Sequence, residues 1–495
     1  MTGTVTLVGA GPGGRGLLTL AGAEAIAQAD AVVYDRLVDG SVLDLLPLHA
    51  VRVDVGKESG RHPVPQDQIN EILVCLARQG KTVVRLKGGD CYLFGRGGEE
   101  CEYLRENGVP FRVIPGVTSA FAAPAFAGIP VTHRDCCSSV HIVTAHARAG
   151  RALKIDFASL VRLDGTLVFL MGLSALEQVT DGLLTAGIAP DMPAAVIENG
   201  ARGTQRKVVA TIAGLADRVR AAGLRSPALI VVGRVCGLSD TLDWFTSLPL
   251  HGKTVVVTRP RGRAGTLAAR LRALGAEVTE APCIETVERT DTRPLADALD
   301  QRHDWAVFTS PAGVQAAVHA LRALGRDLRA LYGMKLAAIG RGTADALADC
   351  GLTADLLPRQ YDGAHLADAL ISAMPQGGAA LLLRAAQGGR LLPEKLAAAG
   401  VRVTDVPLYD TVYRCEKADA IRALLEQGAA DVVTFTSAST VEGFVQAVGA
   451  AGCAGFTALC IGGQTAQAAR RYGMNVKVAA NATIEDMIAC LLEGV

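Results

Sequence analysis

Residues 5–20, VTLVGAGPGGRGLLTL, place Gly9, Gly11 and Gly14 in the spacing G-x-G-x-x-G directly after an apolar run. In a dinucleotide-binding enzyme such glycines turn a strand tightly into a helix whose N-terminal N–H groups face a diphosphate. Asp35 closes the next apolar run, AVVYD, where a ribose-binding acid belongs. The helix does not suit that reading. Gly13, Gly14 and Gly16 would occupy its first turns, each costing about 1 kcal/mol relative to Ala. Thr19 is a better N-cap, and the Ala-rich run 20–29 is a better helix. The pattern predicts a long loop from Gly9 to Leu18, with no helix N-terminus against a phosphate. A lone G-x-G-x-x-G is a weak signal in any case.

Two more glycine-opened loops follow strands. VVRLKGGDCYLFGRGGEE runs from a strand at 83–86 through Gly88, Gly89 and Asp90 to a helix near Glu99. FRVIPGVTSAFAAPAFAGIPVTHRD runs from a strand at 111–114 through Pro115 and Gly116, with Thr118 and Ser119 capping the next helix. Gly-rich strand-to-helix turns are ordinary one at a time. Three in this order suggest a sheet edge that lets a ligand approach the backbone.

These loops need a scaffold, and the rest of the chain describes it. Short β-rich runs such as TLVFLMG, PALIVVGR, KTVVVTRP, WAVFTS and DVVTFTS alternate with Ala-rich stretches, which implies α/β architecture with largely parallel sheets. A length of 495 residues allows two to four domains. ALIVVGRV, residues 228–235, reads as a strand, and a fresh strand starts at Lys253. Trp244, Phe245, Pro249 and Gly252 mark a connector, which puts the main boundary at about 245–252.

The second half repeats itself. Residues 275–289 match 400–414, residues 304–321 match 431–448, and residues 335–347 match 457–469, all at nearly one offset. A repeat this long implies a duplicated α/β lobe. Two such lobes leave a cleft suited to a small molecule.

Formal net charge is zero, so the global balance suggests neither nucleic acid nor an anionic membrane as partner. Twelve cysteines without a C-x-x-C pair argue against structural zinc, and we expect no metal. They read as reduced, mostly buried thiols in a cytosolic protein. No signal segment and no apolar run of the ~20 residues that span a bilayer is present, so the protein reads as soluble and cytoplasmic.

The motifs VGAGPG, VVYDRLV, VGK, VVRLKGGD, FGRGGEE, PGVTSA, GIPVTHRD, MGL, ENG and SPALIVVGRV, spread over residues 3–245, resemble the uroporphyrinogen-III C-methyltransferases of the tetrapyrrole methylase family. The resemblance implies a two-lobed α/β domain at 1–245. It would bind S-adenosylmethionine without a Rossmann loop and methylate uroporphyrinogen III twice, giving precorrin-2 for sirohaem and cobalamin. It implies cofactor contacts at Pro12, Gly88, Gly89, Asp90, Leu93, Thr118, Ser119, Met171 and Gly200. Asp90 would neutralise the cofactor's ammonium group or cap its own turn. Asp35 matches a proposed proton acceptor and Lys57 a proposed proton donor, although Lys57 could equally bind a substrate carboxylate. His133 and Arg134 would contact substrate carboxylates, although His133 could instead be a satisfied structural histidine. The family usually dimerises, which implies a homodimer through this half. Gly14 stands where the family usually has Asp, and Cys91 where it commonly has Pro.

The second half is similar to uroporphyrinogen-III synthase. VTRP at 257–260, the paired FTS at 308–310 and 435–437, IGRGTA at 339–344 and VPLYDTVYR at 406–414 carry the likeness. It implies a two-lobed, internally duplicated domain at 253–495 that folds hydroxymethylbilane and inverts its last ring. Tyr409 is the implied acid for hydroxyl departure, with a packed strand tyrosine as the bland alternative. Thr309, Ser310, Thr436, Ser437, Ser439 and Thr465 can bind carboxylates or simply cap helices. Arg259 and Arg384 are candidate anion contacts at strand ends. The competing readings are an NAD(P)-dependent oxidoreductase built on Gly9, Gly11, Gly14 and Asp35, and a methyltransferase carrying a non-catalytic two-lobed binding module.

Overall fold

The structure, a computed structural model, describes residues 2–56, 64–145, 153–259 and 264–493. Residue contacts divide the chain into two compact units, Met1–Val255 with Ala268–Thr279, and Val256–Leu267 with Glu280–Gly494. The described residues form four five-stranded sheets.

The first sheet holds β1 (Val5–Gly9), β2 (Ala31–Tyr34), β3 (Val51–Asp54), β4 (Val83–Lys87) and β5 (Phe111–Ile114), in the order β3-β2-β4-β1-β5. Every pairing is parallel. β1 and β4 are buried along their whole length, as a strand covered by helices on both faces must be. Because β4, β1 and β5 are parallel neighbours, the three glycine-opened loops leave the sheet at one edge.

The second sheet holds β6 (Val140–Thr144), β7 (Thr166–Leu170), β8 (Pro193–Glu198), β9 (Arg206–Thr211) and β10 (Ala228–Val232), in the order β6-β7-β10-β8-β9. Only β6 and β7 pair in parallel; β10 and β9 run antiparallel to their neighbours. β10 stops at Val232, short of the expected Val235. Gly233 sits at φ 151°, and the chain turns into a short 3-10 helix at Arg234–Leu238. Beyond it, Trp244 packs tilted and Phe245 edge-on against Phe126, and the Trp244 indole donates to Ala125 O at 3.2 Å. The predicted connector thus starts on an aromatic anchor.

The third sheet holds β11 (Thr254–Val257), β12 (Glu277–Glu280) and, much later, β18 (Val432–Phe435), β19 (Thr457–Cys460) and β20 (Asn475–Val478), in the order β12-β11-β18-β19-β20. The fourth is built in between, from β13 (Ile284–Glu288), β14 (Trp305–Phe308), β15 (Lys335–Ala338), β16 (Ala379–Ala385) and β17 (Arg402–Tyr413), in the order β13-β17-β16-β14-β15.

The repeat expected from the sequence is present, but a repeat is not a lobe. β14 and β15 are the counterparts of β18 and β19, and the segment of β12 and β13 is the counterpart of β17. In the third sheet β12 joins strands of the second copy; in the fourth, β17 joins β14 and β15 of the first. Each sheet is therefore assembled from both copies. The Thr258 hydroxyl, donating to Thr434 O at 2.7 Å, links residues 176 positions apart. No helix among the described residues is long and apolar enough to cross a membrane.

Candidate active sites

In the N-terminal half, residues 10–18 form a loop containing a single 3-10 turn, Arg15–Leu17, and the helix starts only at Leu20. The Thr19 hydroxyl caps it, accepting from Gly22 N at 3.1 Å. The loop is sewn to its neighbour by two backbone hydrogen bonds, Gly11 N to Gly89 O at 3.1 Å and Gly89 N to Gly11 O at 2.8 Å. The third loop joins through Gly116 N, which donates to Asp90 Oδ2 at 2.9 Å. Gly9 and Gly116 are glycine because the loops touch there: a Cβ on Gly9 would lie 2.5 Å from Gly116 N.

Asp90 uses its other oxygen to accept from Tyr92 N at 2.8 Å and Leu93 N at 3.0 Å. Its carboxylate is thus an organiser of two loops. Thr118 caps the helix Ser119–Phe126, accepting from Ala120 N at 3.2 Å. The loop after β8 closes on the same place. A Cβ on Gly200 would lie 2.2 Å from the Ala123 Cβ of that helix, and one on Gly13 would lie 2.5 Å from Ala201 O. Leu93 packs against the apolar cluster under the second sheet. The structure thereby gathers Pro12, Gly88, Gly89, Asp90, Leu93, Thr118, Ser119 and Gly200 around one meeting point of loops. Met171 follows β7 and is half-exposed.

Strain marks the same region. Among the described residues, Phe94, Arg96, Asp164, Met171, Asn199 and Ala201 hold positive φ without being glycine, and all but Asp164 lie in the loops after β4, β7 and β8. Such conformations cost roughly 1–3 kcal/mol each and cluster where a ligand or catalyst needs them. Arg96 is additionally locked by a bidentate pair with Glu99, at 3.0 and 2.6 Å.

Asp35 follows β2. One oxygen accepts from Leu37 N at 3.1 Å, and the other lies 3.8 Å from the Arg85 guanidinium. Lys57 lies outside the described residues. His133 accepts from Asp135 N at 3.3 Å, and Arg134 beside it is exposed. Gly14 faces Ser41, whose hydroxyl would lie 3.2 Å from an added Cβ. Cys91 is fully buried in the core cluster of the first sheet, and burial pushes its thiol up to about 11.

In the C-terminal half, Tyr409 sits on β17, nearly buried, with its phenol oxygen 2.8 Å from Ser310 Oγ. Ser310 caps the helix Pro311–Ala323, accepting from Gly313 N at 3.0 Å. Thr309 and Ser310 follow β14, and Arg384 ends β16, so these groups and Tyr409 occupy three neighbouring strands. Arg384 is committed elsewhere: it pairs with both oxygens of Asp405 and donates to Gly389 O at 2.7 Å. In the third sheet, Arg259 follows β11, Thr436 and Ser437 follow β18, and Thr465 is buried on the helix Gly463–Arg471. Ser437 caps the helix Ala438–Val448 in a capping box with Thr440 and contacts Ser439 Oγ at 3.0 Å.

Residues 4–216 match the family model for tetrapyrrole (corrin/porphyrin) methylases, and residues 265–489 match that for uroporphyrinogen-III synthase HemD. The porphyrin biosynthesis protein HemD of Ruminiclostridium josui is 46% identical over 493 residues, 99% of this chain and 98% of that one. This chain belongs to that HemD family. It is bifunctional in the family's manner, a tetrapyrrole methylase followed by a uroporphyrinogen-III synthase. The siroheme synthase 2 of Klebsiella pneumoniae is 52% identical over 245 residues, 50% of this chain and 53% of that one, so the chain spans about half of that relative. Among solved structures, uroporphyrin-III-C-methyltransferase from Thermus thermophilus is 39% identical, covering 49% of this chain and 97% of that one at a TM-score of 0.41. A mutant uroporphyrinogen III synthase from the same organism is 26% identical, covering 49% and 98% at a TM-score of 0.37.

One feature of the methylase half of this HemD-family chain was missed in the sequence. Glu100 is fully buried, and its Oε1 accepts from Arg85 Nε at 3.2 Å, Lys87 Nζ at 3.0 Å and Gln66 Nε2 at 3.0 Å. Its Oε2 has no partner. Burial, with Arg85 alongside, holds the Lys87 ammonium below the ordinary lysine range. The signal was VVRLKGG: two cations on one face of a strand otherwise reading as core require a buried anion.

Proposed function

We propose that residues 253–495 close hydroxymethylbilane to uroporphyrinogen III and that residues 1–245 methylate this product twice at carbon, giving precorrin-2. The observation that carries the methylase reading is the late helix start at Leu20, with residues 10–18 held as a loop by Gly11 and Gly89. That arrangement leaves no helix N-terminus directly after β1 to hold a diphosphate, as a Rossmann turn would, which argues against a nicotinamide enzyme.

The residues present suit S-adenosylmethionine. Gly89 stands at φ 70°, and a Cβ there would meet nothing nearer than Ser119 N at 3.9 Å, so the backbone is open on that side. Pro12, Gly88, Gly89, Asp90, Leu93, Thr118, Ser119, Met171 and Gly200 would hold the cofactor. When bound, it supplies an electrophilic methyl group on sulfur. The protein's part is to align the substrate carbon with that methyl group, exclude water and accept a proton. Asp35 takes the proton, oriented by Leu37 N and Arg85. Lys57, His133 and Arg134 serve the substrate side.

In the synthase half, Tyr409 donates a proton to the departing hydroxyl, with Ser310 setting the direction of the phenol. Thr309, Thr436, Ser437, Thr465 and Arg259 hold substrate carboxylates, whereas Arg384 serves as an internal clamp. The methylase half forms a homodimer, and the twelve free thiols suit a reducing cytoplasm.

Calorimetric titration with S-adenosylhomocysteine and with NAD tests the assignment. Binding of the first and silence with the second supports it; the reverse rejects it. Incubation with hydroxymethylbilane, without and then with S-adenosylmethionine, must yield the type III isomer first and its dimethylated product second.

A further inference from the structure

The chain of the synthase half leaves the third sheet and returns to it. The outward passage runs through residues 281–283, between β12 and β13; the return begins at residue 414, after β17. The two passages lie side by side. β13 and β17 pair antiparallel, with Ile284 opposite Tyr413, and Arg414 N donates to Cys283 O at 3.3 Å. Each passage carries a cysteine at this point. Cys283 is fully buried and its thiol donates to Ala281 O at 3.2 Å, while Cys415 is half-buried against the same apolar cluster, so the two thiols neighbour each other.

We propose that Cys283 and Cys415 form a reversible disulfide that staples the two passages together and locks the synthase half. A disulfide needs Cα atoms about 4.4–6.8 Å apart; the bond from Arg414 N to Cys283 O holds the two passages at adjacent-strand spacing, and both cysteines pack on the same apolar cluster. Both cysteines stand where the chain changes sheet, so the bond would fix one lobe against the other. A substrate that must be folded during the reaction requires freedom there.

The chemistry divides the roles. The neighbouring Cys283 thiol is the main cause that brings the Cys415 thiol down to about 7, against burial and Glu416, with the Lys417 backbone and charge assisting. Cys283 is pushed the other way, by the neighbouring Cys415 thiol and by burial. Cys415 is therefore the attacking thiolate. It displaces one thiolate from a small organic disulfide, forming a mixed disulfide. Cys283 then gives up its proton and attacks the Cys415 sulfur, releasing the second thiolate. Two protein thiols lose two electrons and two protons, and one external disulfide becomes two thiols.

The test uses the full chain and oxidised glutathione, followed by alkylation, digestion and mass spectrometry. The expected result is a linked Cys283–Cys415 peptide that disappears with dithiothreitol, while type III product formation falls roughly tenfold and recovers with the reductant. The Cys415→Ser variant should keep its turnover under oxidant; Cys283→Ala provides the same control from the buried side. Glutathione retained on Cys415 without the linked peptide overturns the proposal, as does linkage that leaves turnover unchanged. The activity readout rests on the synthase reading above, but the linked peptide does not. An inactive reduced enzyme that still forms the link would reject the former and spare the site.

Discussion

The phenol oxygen of Tyr409 and the hydroxyl of Ser310 lie 2.8 Å apart, although 99 residues separate them in the chain. β17 carries the tyrosine and the loop after β14 carries the serine, so each fixes the other across strands separated only by β16. Tyr409→Phe keeps the packing and removes the phenol hydroxyl proposed as the acid. Turnover of hydroxymethylbilane by the type III route should fall about 10²-fold or more, with roughly 1 kcal/mol lost in stability for the hydrogen bond. A product ratio and rate indistinguishable from the parent would reduce Tyr409 to a packing residue. Ser310→Ala should weaken the helix Pro311–Ala323 by about 1 kcal/mol and slow turnover less.

Asp35 is read as the proton acceptor of the methylase, held by Leu37 N and Arg85. Asp35→Asn should slow methyl transfer about 10²-fold or more while leaving S-adenosylhomocysteine affinity unchanged. Equal losses in both would place Asp35 in cofactor binding instead.

Gly89 pairs with Gly11 at φ 70°. Gly89→Ala puts a side chain on the open side of the loop and costs on the order of 1–2 kcal/mol in backbone strain. Calorimetry should register weaker S-adenosylhomocysteine binding. The type III synthase rate of the same preparation should match the parent, which separates a local effect from misfolding.

Glu100→Ala strands Arg85 and Lys87 beside each other in the core. Breaking a buried charge cluster by deleting one partner costs about 3–5 kcal/mol, so the urea midpoint of the methylase half should drop sharply. A drop within about 0.5 kcal/mol, the range of ordinary surface changes, would mean that water reaches the cluster.

His303 is buried, with Nε2 bonded to Thr404 at 2.9 Å and Nδ1 without a partner. Burial holds it below the ordinary 6.5 of an imidazole. The unfolded chain then takes up the proton first, so stability is full above about 6.5 and declines as the pH falls toward the lowered folded value. Urea midpoints at pH 7.5, 6.0 and 5.0 should decline less steeply in His303→Gln.

Local chemistry was legible in the sequence; pairing over distance was not. Thr19 announced its helix because an N-cap acts within three residues, and the loop from Gly9 to Leu18 followed. The loops after β4 and β5 were equally readable, since Gly89, Thr118 and Ser119 act where they stand. Glu100 was not, because the cations that need it lie on another element and only burial reveals the demand. Arg384 read as an anion contact at a strand end, yet Asp405, on the adjacent strand, takes its guanidinium. The repeats showed which strands correspond and were silent on which strands pair.

That silence has a consequence for synthesis on the ribosome. β11 has β12 beside it early but gains its other neighbour only when β18, at Val432–Phe435, has left the exit tunnel, so the third sheet closes only near the end of translation. Cutting the gene between the two copies would yield fragments that each lack partners for their own strands. Such halves must be produced together to recover a working synthase, because each completes the other's sheets.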